Sequence, residues 1–248
     1  MREFFLSENM NFPFKNFGIQ HIMMLIFTII CFIFIFIYRK KFTKLNIESQ
    51  KKIRLIIGLI ILISMLSYRI SYMYYGVYDI KKHLSLYYCH IVNYIFVLSL
   101  VINNKKFYKI VYILSWISLI TIVFPDISTG IDSYIFYQFF ISHNLLIVFS
   151  TFMLVLNNQK IELIDLFKGI IIANFIILFT YVINFDFGTN FNTPLSIFYG
   201  TIVSIYKYTY FEGCLFLNLI ALIDGMIGYL VSKVYYISSK QENKEKKL

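Results

Sequence analysis

Ile19-Gln20-His21-Ile22-Met23-Met24-Leu25-Ile26-Phe27-Thr28-Ile29-Ile30-Cys31-Phe32-Ile33-Phe34-Ile35-Phe36-Ile37-Tyr38 runs for twenty residues without an Asp, Glu, Lys or Arg, and Arg39-Lys40-Lys41 closes it. At 1.5 Å per residue, about 20 predominantly apolar residues span the hydrocarbon core of a bilayer as a helix. A basic cluster at one end marks the cytoplasmic side. This stretch therefore reads as a transmembrane helix with its start outside and its end inside.

Six more such segments follow, at about Ile53–Tyr75, Leu84–Ile102, Tyr108–Phe124, Tyr134–Leu156, Leu163–Ile183 and Cys214–Tyr235. If they alternate across the membrane, 17 of the 23 Lys and Arg fall inside and five outside, with Arg69 within the second helix. The expected architecture is all-α, a bundle of seven transmembrane helices with the N-terminus outside and the C-terminus cytoplasmic, in the cell membrane. Residues 1–18 form an outer N-terminal segment, 19–235 the transmembrane domain and 236–248 a basic tail. No basic n-region with a small-residue cleavage site precedes the first run, so a removed signal peptide is not expected. The outer loop 184–212 is the one connection long enough for a role of its own, and its apolar part, 195–210, suits an interfacial or re-entrant segment.

Composition agrees. The 248 residues are 59% hydrophobic and 15% charged, with a mean hydropathy of +0.71, whereas soluble domains carry about a quarter charged residues. The net charge of +10 sits between hydrophobic segments and in the tail, where it orients helices. It forms no basic, aromatic-interleaved patch for nucleic acid. Cys31, Cys89 and Cys214 have no ligand spacing, so neither a metal site nor a disulfide framework is expected. No soluble cofactor is implied, and the natural partners are membrane lipids.

Polar residues inside apolar helices are costly and mark candidate sites. Ser85, Cys89 and Asn93 repeat every four residues and share one helix face, while His90 points about 100° away and reads as a packing residue. Counted from the expected helix ends, Cys89 and His143 lie at similar depth beneath the outer surface. A thiol within reach of an imidazole there suits acyl transfer from a lipid ester, although taken alone the pair reads first as two buried polar residues without chemistry. Gln138, Asn93, Tyr134 or Tyr137 are the available oxyanion donors. Arg69 is placed to hold a lipid phosphate or to snorkel. Asp224 is expected to pair with Arg69, to stay protonated or to steer His143. Asn174 is expected to hydrogen-bond between helices. The small residues Ala221, Gly225, Gly228 and Ser232 read as a close-approach stripe.

At these motifs the chain resembles the YwaF-type bacterial integral membrane proteins of the transmembrane protein 164 family. Leu84, Leu86 and Cys89 match that family's Leu-Pro-Leu-x-x-Cys, Phe140 and His143 its Phe-x-x-His, and Asn190-Phe191 with Pro194 an outer-loop element. Ser85 stands where the motif has proline, His90 where a small or amide residue is common, and Asn144 where glycine is usual. The resemblance implies that Cys89 is an acyl-accepting nucleophile and His143 its base, in a lipid acyltransferase or fatty-acyl ester hydrolase. Arg69, Asn93 and Gln138 are then the substrate-binding candidates, with Asp224, Ser85 and Asn174 supporting. The alternative is a non-catalytic transport or substrate-binding subunit. Few interrupting Gly or Pro residues and no internal repeat count against a carrier.

Overall fold

The computed structural model describes residues 2–7, 11–84, 86–187 and 210–245, and only the backbone at 81, 82, 181, 182, 184–187, 210–214 and 237–245. Ser85, most of the long loop and the last three residues therefore lie outside the described residues. The helices are α1 (Arg2–Leu6), α2 (Ile19–Phe42), α3 (Ile47–Tyr74), α4 (Ile80–His83), α5 (Tyr88–Ile102), α6 (Lys105–Trp116), α7 (Leu119–Val123), α8 (Tyr134–Leu156), α9 (Leu163–Phe187) and α10 (Tyr210–Glu245). Among the described residues, six helical spans are long and apolar enough to cross a membrane, α6 and α7 together making one of them; α5, at 15 residues, is a shorter apolar helix. The protein is an all-helical, multi-pass membrane protein.

Asparagines set the joints at one end of the bundle. Asn103 adopts a left-handed conformation (φ 52°) that ends α5, and the Asn104 side chain then accepts from the amides of Lys106 and Phe107 to start α6. Asn tolerates that conformation better than most residues and is a strong N-cap. Asn46 caps α3 in the same way through Ser49. The basic residues Arg39, Lys40, Lys41, Lys105 and Lys106 gather at this basic end, where Lys109 of α6 pairs with Asp165 of α9 at 3.5 Å.

Helix α8 forms the centre, with buried residues from Phe136 to Leu156, and packs against α2, α3 and α6; α6 in turn contacts α5, α9 and α10. Small residues let these helices approach, as packing rather than water exclusion holds helices together in lipid. The Gly228 backbone lies against the Trp116 ring, Gly225 against Leu166 and Gly169 against Ile113, and the Tyr112 hydroxyl donates to the Gly228 carbonyl at 2.8 Å. The small-residue stripe on α10 thus serves close packing, as read from sequence. The outward faces of α2, α3, α9 and α10 carry exposed Ile, Leu and Phe, a surface suited to acyl chains.

Three boundaries differ from expectation. The third hydrophobic segment becomes helical at Tyr88 rather than Leu84, because α4 and a turn precede it and Tyr87 is extended (φ −63°, ψ 145°). The fourth is broken after Trp116 and resumes at Leu119. The last helix does not end near Tyr235 but runs on to Glu245 through the segment read as a basic tail, whose polar residues are mostly good helix formers.

At the opposite end, residues 11–21 strap onto the loop before α8. Asp132 accepts from the Asn11 and Phe12 amides, the Phe14 amide donates to the Ser128 carbonyl, and the Gln20 side chain accepts from Ile131. Fully buried His21 accepts from the Phe17 amide through Nδ1 (3.0 Å) and donates from Nε2 to the Ile122 carbonyl (2.8 Å). Both nitrogens are satisfied, so His21 is a structural histidine that ties the start of α2 to α7.

Candidate active site

At this strapped end the helices part around a cavity of about 400 Å³, bounded by the start of α5, by α7, by α8 and by facing residues of α9 and α10. Its volume lies within the roughly 300–1,000 Å³ typical of small-molecule sites. Cys89, His90, Gln138 and His143 all line it, together with Asn174 and Asn218. The rest of the wall is largely Leu, Ile, Phe and Tyr, an apolar lining.

The late start of α5 changes the position of the thiol. Cys89 lies in the first turn of α5, not a turn and a half inside it, and it is a free cysteine. The side chain of Cys214 lies outside the described residues. His143 is ten residues into α8, about 14 Å from its start, and the cavity spans the offset between them.

His143 is held firmly. Its ring stacks on Phe139 at 4.2 Å, and its Nδ1 donates to the Phe139 carbonyl at 2.8 Å, with Ser142 Oγ at 3.2 Å. That donation sets the neutral tautomer whose Nε2 is an acceptor. Nε2 has no hydrogen-bond partner among the described residues. No direct hydrogen bond joins the Cys89 thiol to the imidazole.

His90 is the residue that sequence reasoning missed. Its ring lines the same cavity and meets Tyr87 edge-on at 5.8 Å, while its Nδ1 is buried with no partner. An orphaned buried N–H is rarer than an unsatisfied acceptor, which favours the tautomer protonated at Nε2. The two histidines would then be complementary, with His143 offering an acceptor and His90 a donor. The signal available in the sequence was adjacency to Cys89: at a helix start, neighbouring residues can both face a cavity that wraps around the end.

Of the other candidates, Gln138 and Asn174 are in the wall. Asn174 and Asn218 exchange side-chain hydrogen bonds of 2.7 and 3.1 Å between α9 and α10, the interhelical link expected of Asn174. Asn93 is fully buried, lies one turn below Cys89 and donates to the Cys89 carbonyl at 3.0 Å; it supports the helix start rather than lining the cavity. Arg69 is not in the wall, and its Nη1 donates to the Met65 carbonyl of its own helix. The Arg69–Asp224 pairing is not formed: the Asp224 carboxylate instead accepts from the Ile120 amide at 2.8 Å. Asp126 lines the cavity near the loop, and partial burial pushes its carboxyl up from the ordinary carboxylate range. Among the described residues no three His, Cys, Asp or Glu side chains gather as a metal site.

The TMEM164 family model matches residues 16–223, a span that includes every wall residue named above. No curated protein and no solved structure matches the chain.

Proposed function

Because the chain belongs to the TMEM164 family, we propose that it is an intramembrane acyl-transfer enzyme acting on lipid acyl esters, with Cys89 as nucleophile and His143 as general base. The observation that carries this reading is the shared cavity: a free thiol and a partner-free imidazole nitrogen lie in one apolar wall. With the basic loops at the opposite end, the positive-inside tendency puts this cavity toward the outer leaflet.

In this reading a lipid ester enters between the helices with its carbonyl near Cys89. The thiol proton passes to His143 Nε2, directly or through one water. The thiolate attacks the carbonyl carbon, and the tetrahedral oxyanion accepts a hydrogen bond from His90 Nε2–H, with Gln138 as a second donor. The ester C–O bond breaks, the leaving alkoxide takes the proton back from His143, and the acyl chain remains as a thioester on Cys89. An acceptor hydroxyl, or water, then attacks that thioester while His143 removes its proton, which returns to the departing thiolate. Transfer or hydrolysis follows according to which nucleophile enters.

The test is turnover in proteoliposomes containing a phospholipid with a labelled acyl chain and a lysolipid acceptor. Wild type forms labelled product or free fatty acid, and Cys89→Ala and His143→Ala each lose at least about a hundredfold of that rate. Product formation unchanged in Cys89→Ala rules the reading out.

A further inference from the structure

A second site lies at the basic end of the bundle. Arg54 sits on the second turn of α3, and although its neighbours Lys51 and Lys52 are exposed, its own residue is only 8% exposed. Its guanidinium makes no ion pair or hydrogen bond with any described residue. The hydroxyl of Tyr108, within electrostatic reach of Arg54, is also buried without a partner. With the residue buried, no counter-ion among the described residues and its guanidinium on the groove wall, Arg54 presents five donors at a membrane boundary that call for an anion.

The surroundings define that anion. Arg54 and Lys51 line one end of a groove of about 350 Å³ between α3 and α5, which continues past Gly58 to Leu62, with Val97 and Val101 on the facing side. From Arg54 to Leu62 is about 12 Å along the helix, and all the charge is at the basic end. Gly58, without a side chain, keeps the floor open. Val101 and Leu55 are largely exposed, so the groove opens laterally.

We propose that this groove binds an anionic phospholipid of the leaflet at the basic end, with its phosphate held by the Arg54 fork beside Lys51 and one acyl chain lying over Gly58 between α3 and α5. A planar guanidinium suits a phosphate bidentately, and basic pockets between transmembrane helices are where anionic headgroups settle. A soluble anion would leave the apolar length of the groove unused. The site is independent of the chemistry at Cys89, which lies at the other end of the bundle.

The experiment is native mass spectrometry of the detergent-purified full chain, equilibrated with equimolar phosphatidylglycerol and phosphatidylcholine of identical acyl chains. Phosphatidylglycerol is expected to be retained about tenfold over phosphatidylcholine. Arg54→Met removes that preference, and Gly58→Leu, which leaves the charge in place and fills the groove, removes bound lipid; either variant suffices if the other does not fold. Equal retention of the two lipids by wild type overturns the proposal. So does a preference that persists in whichever variants fold. Displacement of phosphatidylglycerol by equimolar inorganic phosphate or oleate would assign the groove to a free anion or a fatty acid instead, and also overturns it.

Discussion

The Asp224 carboxylate on α10 accepts a 2.8 Å hydrogen bond from the Ile120 amide, 104 residues earlier in the chain, at the start of α7. Ile120 is the second residue of a short helix whose own N-cap, Ser118, makes no side-chain capping bond. A distant helix thus supplies the cap, and Ile120 and Thr121 beside it line the cavity. An acidic side chain inside an apolar helix therefore holds the break that shapes the site. Losing an N-cap acceptor costs about 0.5–2 kcal/mol, so Asp224→Ala is expected to destabilise by that amount in detergent thermal unfolding. Asp224→Asn, which keeps an acceptor oxygen, is expected to lose less.

Gly228 and Gly58 make a contrasting pair. A Cβ at Gly228 would come 2.4 Å from Trp116 Cγ, whereas one at Gly58 would meet only Leu100 at 3.6 Å. Gly228→Ala is expected to cost roughly 1–3 kcal/mol by overpacking, while Gly58→Ala is neutral or stabilises by about 0.4–1 kcal/mol. Thermal unfolding of the two variants side by side checks the difference.

The reciprocal Asn174–Asn218 amide pair links α9 to α10 where they face the cavity. Interhelical side-chain hydrogen bonds in membranes contribute about 0.6 kcal/mol on average and up to about 1.7. A double-mutant cycle with Asn174→Leu and Asn218→Leu is expected to give a coupling energy in that range. A coupling of zero would mean that each amide is equally well satisfied without the other.

His90 offers a test of the mechanism within the site. Removing one oxyanion donor lowers turnover by about 10²–10³, so His90→Leu is expected to lose that much while Cys89 remains able to take up acyl groups slowly. His90→Gln, which keeps an N–H donor, is expected to recover part of the rate. Proteoliposome turnover at saturating lipid separates this from a loss of binding.

The hydrophobic segments were legible because each is a long apolar run next to a basic or turn-forming joint, and the family motifs stood at Cys89 and His143 in plain view. What escaped was settled by long-range contacts. Leu84 and Leu86 look like the start of a helix, yet Tyr87 is extended and helix begins at Tyr88. Nothing in Ile117-Ser118 signals a break, as the cap that supports it comes from Asp224. Arg54 reads as one more base at the inner end of the second hydrophobic segment until the fold buries it beside the groove between α3 and α5. Helical-wheel reasoning set His90 aside because it assigns one face to the site, whereas a cavity at a helix end reaches two.

Mapping covalent acyl groups on the protein distinguishes a nucleophilic Cys89 from a packing one. The purified chain is incubated with a phospholipid carrying an alkyne-tagged acyl chain, then digested and analysed by mass spectrometry with and without hydroxylamine. A hydroxylamine-labile acyl group is expected on the peptide containing Cys89, absent in Cys89→Ala and strongly reduced in His143→Ala. Labelling that persists in Cys89→Ala, or an unmodified Cys89 during active turnover, would contradict the nucleophilic role of Cys89.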